Sequence, residues 1–439
     1  MHRLLSNPIL RRVAKNSAYL FSASGISVAL GFFQNLLVVN LLEVGLFGIL
    51  GGVVKFTSVI NKLASFRMHE LVIKYVGQYT EAGDTRRAAA IFKLACLLET
   101  GSSLVSYSLI FGLSTLAARI FAKDSHFASL FALYGLIVLG NLIFESSTGL
   151  LQIFDRFRFI AALQISQSVL TLVLIALAFF APNPLLAVVF AYMAGKLLDG
   201  IGIAIVAFVE AGRKWGQGWW RTPLSLLKDQ RRELFRFAFS TNLSATINLV
   251  NKDSEELWVL GLLDPVQGGY YKQAIALTNL VLIPITPLPQ ATYPELAREV
   301  ARKAWDNVRY ILKQGSRLAL LYTGLASLFL IIFGRPLIAW LYGSEFLPSY
   351  PALVVLLVGL LIANTFYWNR TALLSLNLPD YPTKVNLLAA FLKIALTPLL
   401  VPRYGYVASA ALLSGYYFLS IGLNVRKTYQ ELANREKRP

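Results

Sequence analysis

Four charged side chains lie close together inside an otherwise apolar stretch from residue 237 to residue 263: Lys252, Asp253, Glu255 and Glu256. Each charge placed mid-bilayer costs on the order of 3 kcal/mol, so such residues usually face an interior cavity and have a function there. On a helix, Lys252, Glu255 and Glu256 share one side with Asn248, and Asp253 lies at the edge of that side. The stretch therefore predicts a transmembrane helix with a wet, charged face.

A second candidate centres on Arg370, which lies well inside the apolar run from Leu353 to Leu376. Arginine keeps its proton and presents a planar fork of donors that suits phosphate. The alternative is a salt bridge between Arg370 and an acid of the 237–263 stretch. Arg370 therefore predicts either a phosphate contact or an internal ion pair.

Other charges also fall within apolar runs. The bases are Lys55, Lys93, Lys196, Lys272 and Lys393, and the acids are Glu99, Glu145 and Asp199. The near balance of buried bases and acids permits much internal pairing. Lys272 lies near the end of its run and can extend its ammonium toward water, whereas Lys393 receives no assigned role. Lys252 and Glu256 can pair on one helix, which leaves Asp253 and Glu255 uncompensated.

The composition identifies the class of protein. The chain has 439 residues, of which 56% are hydrophobic and 15% charged, with a mean hydropathy of +0.59. These values are typical of a polytopic membrane protein. The net charge of +18 would suggest a nucleic-acid partner in a soluble protein. Here the bases fall in short loops, so no nucleic acid is predicted, and the scattered histidines predict no metal site.

About 20 apolar residues cross a bilayer. Twelve segments qualify: 16–41, 46–66, 88–113, 127–152, 159–181, 185–209, 237–263, 270–291, 311–334, 351–376, 384–402 and 405–425. The connections on one side carry 30 Lys and Arg, and those on the other carry 4. Since basic loops stay in the cytoplasm, both termini are predicted to be cytoplasmic. Span eight and the residues just after it contain Pro284, Pro287, Pro289 and Pro294, which predict a kinked or broken helix.

The two halves of the chain look related. A shift of 224 aligns Gly45 with Gly269, and a shift of 223 aligns Asn141 with Asn364. Under the second shift Ser147 is the counterpart of Arg370. A duplicated unit of six spans is a known transporter plan, with the substrate site between the halves. The predicted fold is therefore all-α, with twelve helices in two pseudo-symmetric bundles, 1–210 and 237–439, joined by a cytoplasmic interfacial linker at 211–236.

Motifs of the common enzymes are missing from the sequence. There is no G-x-x-x-x-G-K-[ST], no G-x-S-x-G and no H-E-x-x-H. The predicted outer loops are too short for a large external catalytic domain. We therefore predict that the chain is not an enzyme, and we assign no catalytic residues.

Several short motifs resemble those of the oligosaccharide flippases of the polysaccharide-transporter group, within the multidrug/oligosaccharidyl-lipid/polysaccharide exporter superfamily. The resemblance covers nearly the whole chain. It is carried by the turns at 42–47 and 263–271, by Gly149–Phe157 after span four, by Tyr293-Pro294-Glu295-Leu296, and by Glu256 five residues before Gly261. The family usually has Asp at the position of Glu256, so the nearby Asp253 and Glu255 are alternatives for the role of that acid.

The resemblance implies two six-helix bundles around a central cavity, in a bacterial inner membrane. It implies flipping of a polyprenyl-pyrophosphate-linked oligosaccharide to the outer leaflet for O-antigen, capsule or exopolysaccharide, by ion-coupled alternating access. A diphosphate needs cations and a sugar needs a polar cavity. The residues predicted to contact the pyrophosphate or to line the cavity are Arg370, Lys252, Lys55, Lys272 and Asn248.

Coupling to H⁺ or Na⁺, with no other cofactor, is assigned to Asp253, Glu255, Glu256 and Glu145. A polysaccharide polymerase or glycosyltransferases are the expected protein partners. The alternative is a drug/cation antiporter of the same superfamily, which has less use for Arg370 and the other buried bases. A peptidoglycan-precursor flippase would typically have two more spans, which the sequence does not show.

Overall fold

The computed structural model describes residues 8–64, 68–230, 232–234, 254–378 and 380–436. The described residues form helices and their connections, with no strand among them. The helices of the first part are α1 Pro8–Leu41, α2 Val44–Ala64, α3 Met68–Leu71, α4 Gly77–Glu81, α5 Thr85–Ala117, α6 Ala128–Gly135, α7 Ile137–Gly140, α8 Phe144–Ile153, α9 Phe157–Leu177 and α10 Pro184–Trp215. Those of the second part are α11 Glu255–Leu262, α12 Pro265–Leu282, α13 Leu288–Ala301, α14 Trp305–Tyr342, α15 Ser349–Thr365, α16 Asn369–Ser375, α17 Asp380–Tyr404 and α18 Tyr406–Glu436.

Short side chains at the predicted turns start several helices. Asn183 accepts a hydrogen bond from the backbone N–H of Leu186 at 3.1 Å, and Pro184 follows as the first residue of α10. Asp264 accepts from the N–H of Gln267 at 2.9 Å, and Pro265 begins α12. A capping acceptor satisfies a helical N–H that lacks a partner, and proline suits the first helical position. The turns expected from the sequence therefore set these helix starts.

The membrane-spanning character of the helices is confirmed. Ten helical stretches of the described residues are long and apolar enough to cross a bilayer. Most of predicted span seven lies outside the described residues, which resume at residue 254. Span eight is broken as its prolines predicted, because α12 ends at Leu282, a 3₁₀ turn follows at Ile283–Ile285, and α13 begins at Leu288. The all-α polytopic fold is thus established, and the ten described stretches are consistent with twelve spans.

The chain forms two compact units. Unit 1 comprises Met1–Glu43 and Gly52–Ser254, and unit 2 comprises Val44–Gly51 and Glu255–Pro439. The helix α2 is therefore divided, with its first eight residues in unit 2 and the others in unit 1. The predicted boundaries at 210 and 237 remain predictions.

Left-handed backbone positions mark an internal repeat. Six of the eight such positions among the described residues form three pairs: Gly83 and Lys303, Lys123 and Gly343, and Asp155 and Asn377. In the first pair, the second residue after the helix makes the same hydrogen bond in both units, from Gly83 N to Thr80 O and from Lys303 N to Val300 O. The members of the pairs are 220, 220 and 222 positions apart. These offsets are smaller than the 223 and 224 that matching letters indicated, because loop-length differences shift the register locally.

The predicted linker packs against unit 1 over its described part. Trp219 and Leu227 are buried, and Trp219 lies 5.2 Å from the ring of Phe92, measured between ring centroids. Lys93 donates a hydrogen bond to the carbonyl of Thr222 at 3.2 Å. Residues up to 230 thus belong to the first unit by their packing.

Candidate functional site

Glu255, in the first turn of α11, is held by two partners from other helices. The residue is only 3% exposed. Its carboxylate forms an ion pair with Lys393 of α17 and accepts a hydrogen bond from the hydroxyl of Tyr271 on α12. The sequence predicts an uncompensated Glu255, and this prediction is wrong because Lys393 neutralises it. No local pattern signals the pair, because its members lie on spans far apart in the chain.

Lys393 is the basic residue that the sequence could not place. It lies in the interior of unit 2, 6% exposed, and its ammonium lies 5.9 Å from the centroid of the Tyr416 ring. A buried ion pair is tolerated when additional hydrogen bonds satisfy its remaining atoms. The Tyr271 hydroxyl supplies such a bond to Glu255. Lys393, Glu255 and Tyr271 therefore form a structural triad.

Glu256 is adjacent in sequence but has a different environment. It is 9% exposed, and its Oε1 has no hydrogen-bond partner among the described residues. The Oε1 lies directly against the Cα of Gly51, where any side chain would overlap it. Buried polar atoms without a partner are rare in folded proteins and call for an explanation. Of the two described acids, Glu256 is the one with spare capacity for a proton or a cation.

Lys272 lies beside the carboxylate of Glu256, whereas Lys393 pairs with Glu255. A Cβ placed on Gly51 would lie 2.8 Å from the Cδ of Lys272. The ammonium of Lys272 donates to the carbonyl of Phe47 at 3.2 Å and lies 3.7 Å from the centroid of the Phe47 ring. The structure thus brings Glu255, Glu256 and Lys272 into unit 2, whereas Asn248, Lys252 and Asp253 lie outside the described residues.

Glycines allow the start of α2 to approach α12 closely. The Cα of Gly48 lies against the carbonyl of Pro265, and the Cα of Gly269 lies against the carbonyl of Val44. Val44 and Pro265 are the first residues of their helices, so the two contacts are equivalent under the internal repeat. A side chain on either glycine would overlap backbone, which cannot move aside as a flexible side chain can. The close approach also places Gly51 against Glu256.

Arg370 lies at the start of α16, and its side chain is exposed. It forms no ion pair or hydrogen bond with a described residue, and Glu255 already has Lys393. The predicted alternative of a salt bridge to a span-seven acid is therefore not seen for Glu255 or Glu256. A cation in the first turn of a helix is opposed by the helix dipole, so the position of Arg370 brings no evident benefit to α16.

Two of the residues predicted to form the site, Lys55 and Glu145, belong to unit 1. Lys55 is half-buried on α2. Glu145 lies in the first turn of α8, where predicted span four is interrupted. There the carboxylate of Glu99 accepts the backbone N–H groups of Glu145 and Ser146 at 2.8 and 2.9 Å. Glu99 thus satisfies donors that the interruption would leave unpaired within the membrane, a role that the sequence did not reveal.

No group of three or more His, Cys, Asp or Glu that would suit a metal ion occurs among the described residues. The chemistry available is instead that of one satisfied carboxylate, one carboxylate with an open oxygen, and an exposed guanidinium. Such groups exchange protons, bind monovalent cations or hold anions.

The comparisons with known proteins agree on a family and on a fold. The profile of a family described as polysaccharide biosynthesis proteins matches residues 13–300. The inner membrane protein YghQ of Escherichia coli (strain K12) is 23% identical over 347 residues, covering 77% of this chain and 95% of that protein.

Two solved structures share the fold. An inward-facing multidrug resistance MATE family transporter of the MOP superfamily has a TM-score of 0.75 at 12% identity, covering 94% of this chain and 96% of that one. The lipid II flippase MurJ, in an inward closed conformation, has a TM-score of 0.69 at 15% identity, covering 95% and 89%.

Proposed function

This chain belongs to the polysaccharide biosynthesis protein family, and from that premise we propose that it flips a polyprenyl-pyrophosphate-linked oligosaccharide between membrane leaflets. It is a multi-pass membrane protein with the fold of MOP-superfamily transporters and flippases. Its family and its neighbours in fold are not enzymes, in agreement with the expectation from the sequence. We place it in the bacterial inner membrane with both termini in the cytoplasm, acting beside a polymerase or glycosyltransferases.

The observation that carries the substrate assignment is Arg370. An arginine within a membrane span is costly and is kept for a function. Its side chain is exposed and has no acidic partner among the described residues, so its donors are available. A guanidinium can hold a pyrophosphate with two parallel charge-assisted hydrogen bonds, whereas lysine offers a point charge. Arg370 is therefore the proposed contact for the pyrophosphate.

Replacing Arg370 with alanine is expected to weaken binding of a lipid-linked sugar that carries a pyrophosphate by about 10- to 100-fold, the value of a charged hydrogen bond. Arg370→Lys is expected to lose less, because it keeps the charge without the fork. Binding is measured on purified protein whose folding is verified by its thermal transition. Arg403→Ala serves as the matched control, since Arg403 is also exposed but lies on the predicted outer side.

If Arg370→Ala bound the lipid-linked sugar with unchanged affinity, the proposed contact between Arg370 and the pyrophosphate would be refuted. If the purified chain instead exchanged cationic drugs for protons and bound no lipid-linked sugar, the antiporter alternative would replace the flippase.

We assign ion coupling to Glu256 and not to Glu255. Its open oxygen can accept a proton or a monovalent cation, whereas the carboxylate of Glu255 is occupied by Lys393 and Tyr271. Asp253 stays a further candidate that lies outside the described residues, and Glu145 a candidate in unit 1. Binding and release at Glu256 would then favour different states during transport, which is the basis of alternating access.

Glu256→Gln is expected to give a folded protein whose flipping no longer responds to an imposed pH or sodium gradient. The neutral amide keeps the shape of the side chain but cannot take up a proton or balance a cation. The measurement is the rate of flipping in proteoliposomes with the gradient applied to each side in turn. A wild-type response to both gradients in Glu256→Gln would reject this assignment.

A further inference from the structure

Two arginines of unit 1 share one buried carboxylate near the end of α10. Glu210, near the end of α10, is 1% exposed. Its Oε2 accepts a hydrogen bond from Nε of Arg156 at 2.9 Å and lies 2.8 Å from Nη2 of the same guanidinium, and its Oε1 accepts from Nη1 of Arg213 at 2.9 Å. Arg156 precedes α9 and so ties the connection after α8 to the end of α10. Both oxygens of Glu210 are thus occupied by guanidinium groups.

This cluster has more positive charge than burial of Glu210 requires. One guanidinium would neutralise one carboxylate, yet a second arginine is present, so the three side chains sum to one net positive charge. The outer parts of both arginines reach solvent, because the side chains of Arg156 and Arg213 are 38% and 67% exposed. Arg213 uses Nη1 for Glu210, and no described residue accepts from its Nε or Nη2. The cluster therefore presents oriented donors and surplus charge to its surroundings.

Aromatic residues lie two positions from each of these arginines in the chain, Phe154 before Arg156 and Trp215 after Arg213. The Phe154 and Trp215 rings are 5.5 Å apart between centroids, and Trp215 lies 6.1 Å from Trp219. Phe154 is the first residue after α8, and Trp215 is the last residue of α10. Tryptophan at the ends of membrane-spanning helices is typical of the headgroup level of a bilayer. The loop charges predict that this end of unit 1 faces the cytoplasm.

We propose that Arg156 and Arg213 bind the phosphate of an anionic phospholipid in the cytoplasmic leaflet. A guanidinium suits phosphate oxygens. Glu210 orients Arg156 through Nε and Nη2 and Arg213 through Nη1, so Nη1 of Arg156 and the Nε–Nη2 fork of Arg213 are not used by Glu210. Basic pockets at the cytoplasmic ends of membrane helices are a recognised form of lipid-headgroup site. The site lies within unit 1, and its existence does not depend on the transported substrate.

The test is native mass spectrometry of the purified full-length protein titrated with phosphatidylglycerol, and separately with phosphatidylcholine. Arg213→Lys keeps the charge but loses the fork, and it is expected to lower the affinity for phosphatidylglycerol about 10-fold while leaving the weak binding of phosphatidylcholine unchanged. Arg213→Gln is expected to lower it further. Lys214→Gln is the matched control, because Lys214 is the next residue and is exposed.

Equal losses in Arg213→Gln and Lys214→Gln, with none in Arg213→Lys, would show diffuse attraction by charge and would overturn the site. Displacement of the lipid by millimolar inorganic phosphate, or binding of a polyprenyl diphosphate with no binding of phosphatidylglycerol, would overturn the assignment to a phospholipid. Because Arg213 is largely exposed, its variants should retain the thermal transition of the wild type, which is checked on the same samples.

Discussion

Replacing Lys393 with methionine is expected to remove most of the folded protein from a detergent extract. The substitution leaves the buried carboxylate of Glu255 without the ammonium group that neutralises it. Breaking a buried ion pair in this way destabilises proteins by about 3–5 kcal/mol, which is a large part of a typical folding free energy. Lys384→Met on the same helix is the control, since Lys384 is exposed and its replacement should have little effect.

The measurement is the fraction of protein that remains monodisperse after heating. The double variant Lys393→Met with Glu255→Gln should recover much of the loss, because it removes both charges and keeps an acceptor for the Tyr271 hydroxyl. A cycle of the single and double variants then isolates the energy of the pair. If Lys393→Met were as stable as Lys384→Met, the triad would have no structural importance.

Gly48→Ala is expected to destabilise the protein by about 1–3 kcal/mol, the usual cost of overpacking. An alanine within a helix is normally favoured over glycine by about 1 kcal/mol, so the close approach reverses the ordinary sign. The new methyl group would overlap the carbonyl of Pro265. Gly269→Ala is expected to behave alike, because its methyl group would meet the carbonyl of Val44 at 2.5 Å.

Gly45→Ala is the matched control on the same helix. A Cβ at Gly45 would meet the side chain of Val266 at 3.6 Å, which is ordinary van der Waals contact. The thermal transition of the three variants in one detergent is the measurement. Equal transitions for Gly45→Ala and Gly48→Ala would mean that the start of α2 does not approach α12 as closely as described.

The sequence predicted what local chemistry determines. The length of the apolar runs predicted the membrane-spanning helices. Asn183 and Asp264, each followed by a proline, predicted the starts of two helices. The prolines after Leu282 predicted the break in span eight. Short motifs gave the family. Each of these signals is contained within about one helix, so no knowledge of tertiary contacts is needed to read it.

The rest depends on contacts between distant segments. The sequence does not indicate a role for Lys393, because nothing near it in the chain shows that Glu255 is its partner. Glu99 looked like one more buried acid, since its acceptors serve backbone groups of α8 and a backbone N–H has no signature in the sequence. The periodicity of apolar residues also could not predict that α2 is divided between two units, because the whole helix has one continuous apolar pattern.

The divided helix has a consequence for how the protein is made. Phe47 and Lys272 are 225 positions apart in the chain, yet both belong to unit 2. A ribosome adds about 5–20 residues per second, so the start of α2 enters the membrane about 10–45 s before its partners on α12. During that interval residues 44–51 lack the partners that they have on α12 in the finished protein. The first half of the chain therefore completes its assembly only after the second half is translated, and a truncated first half is a natural target for membrane quality control.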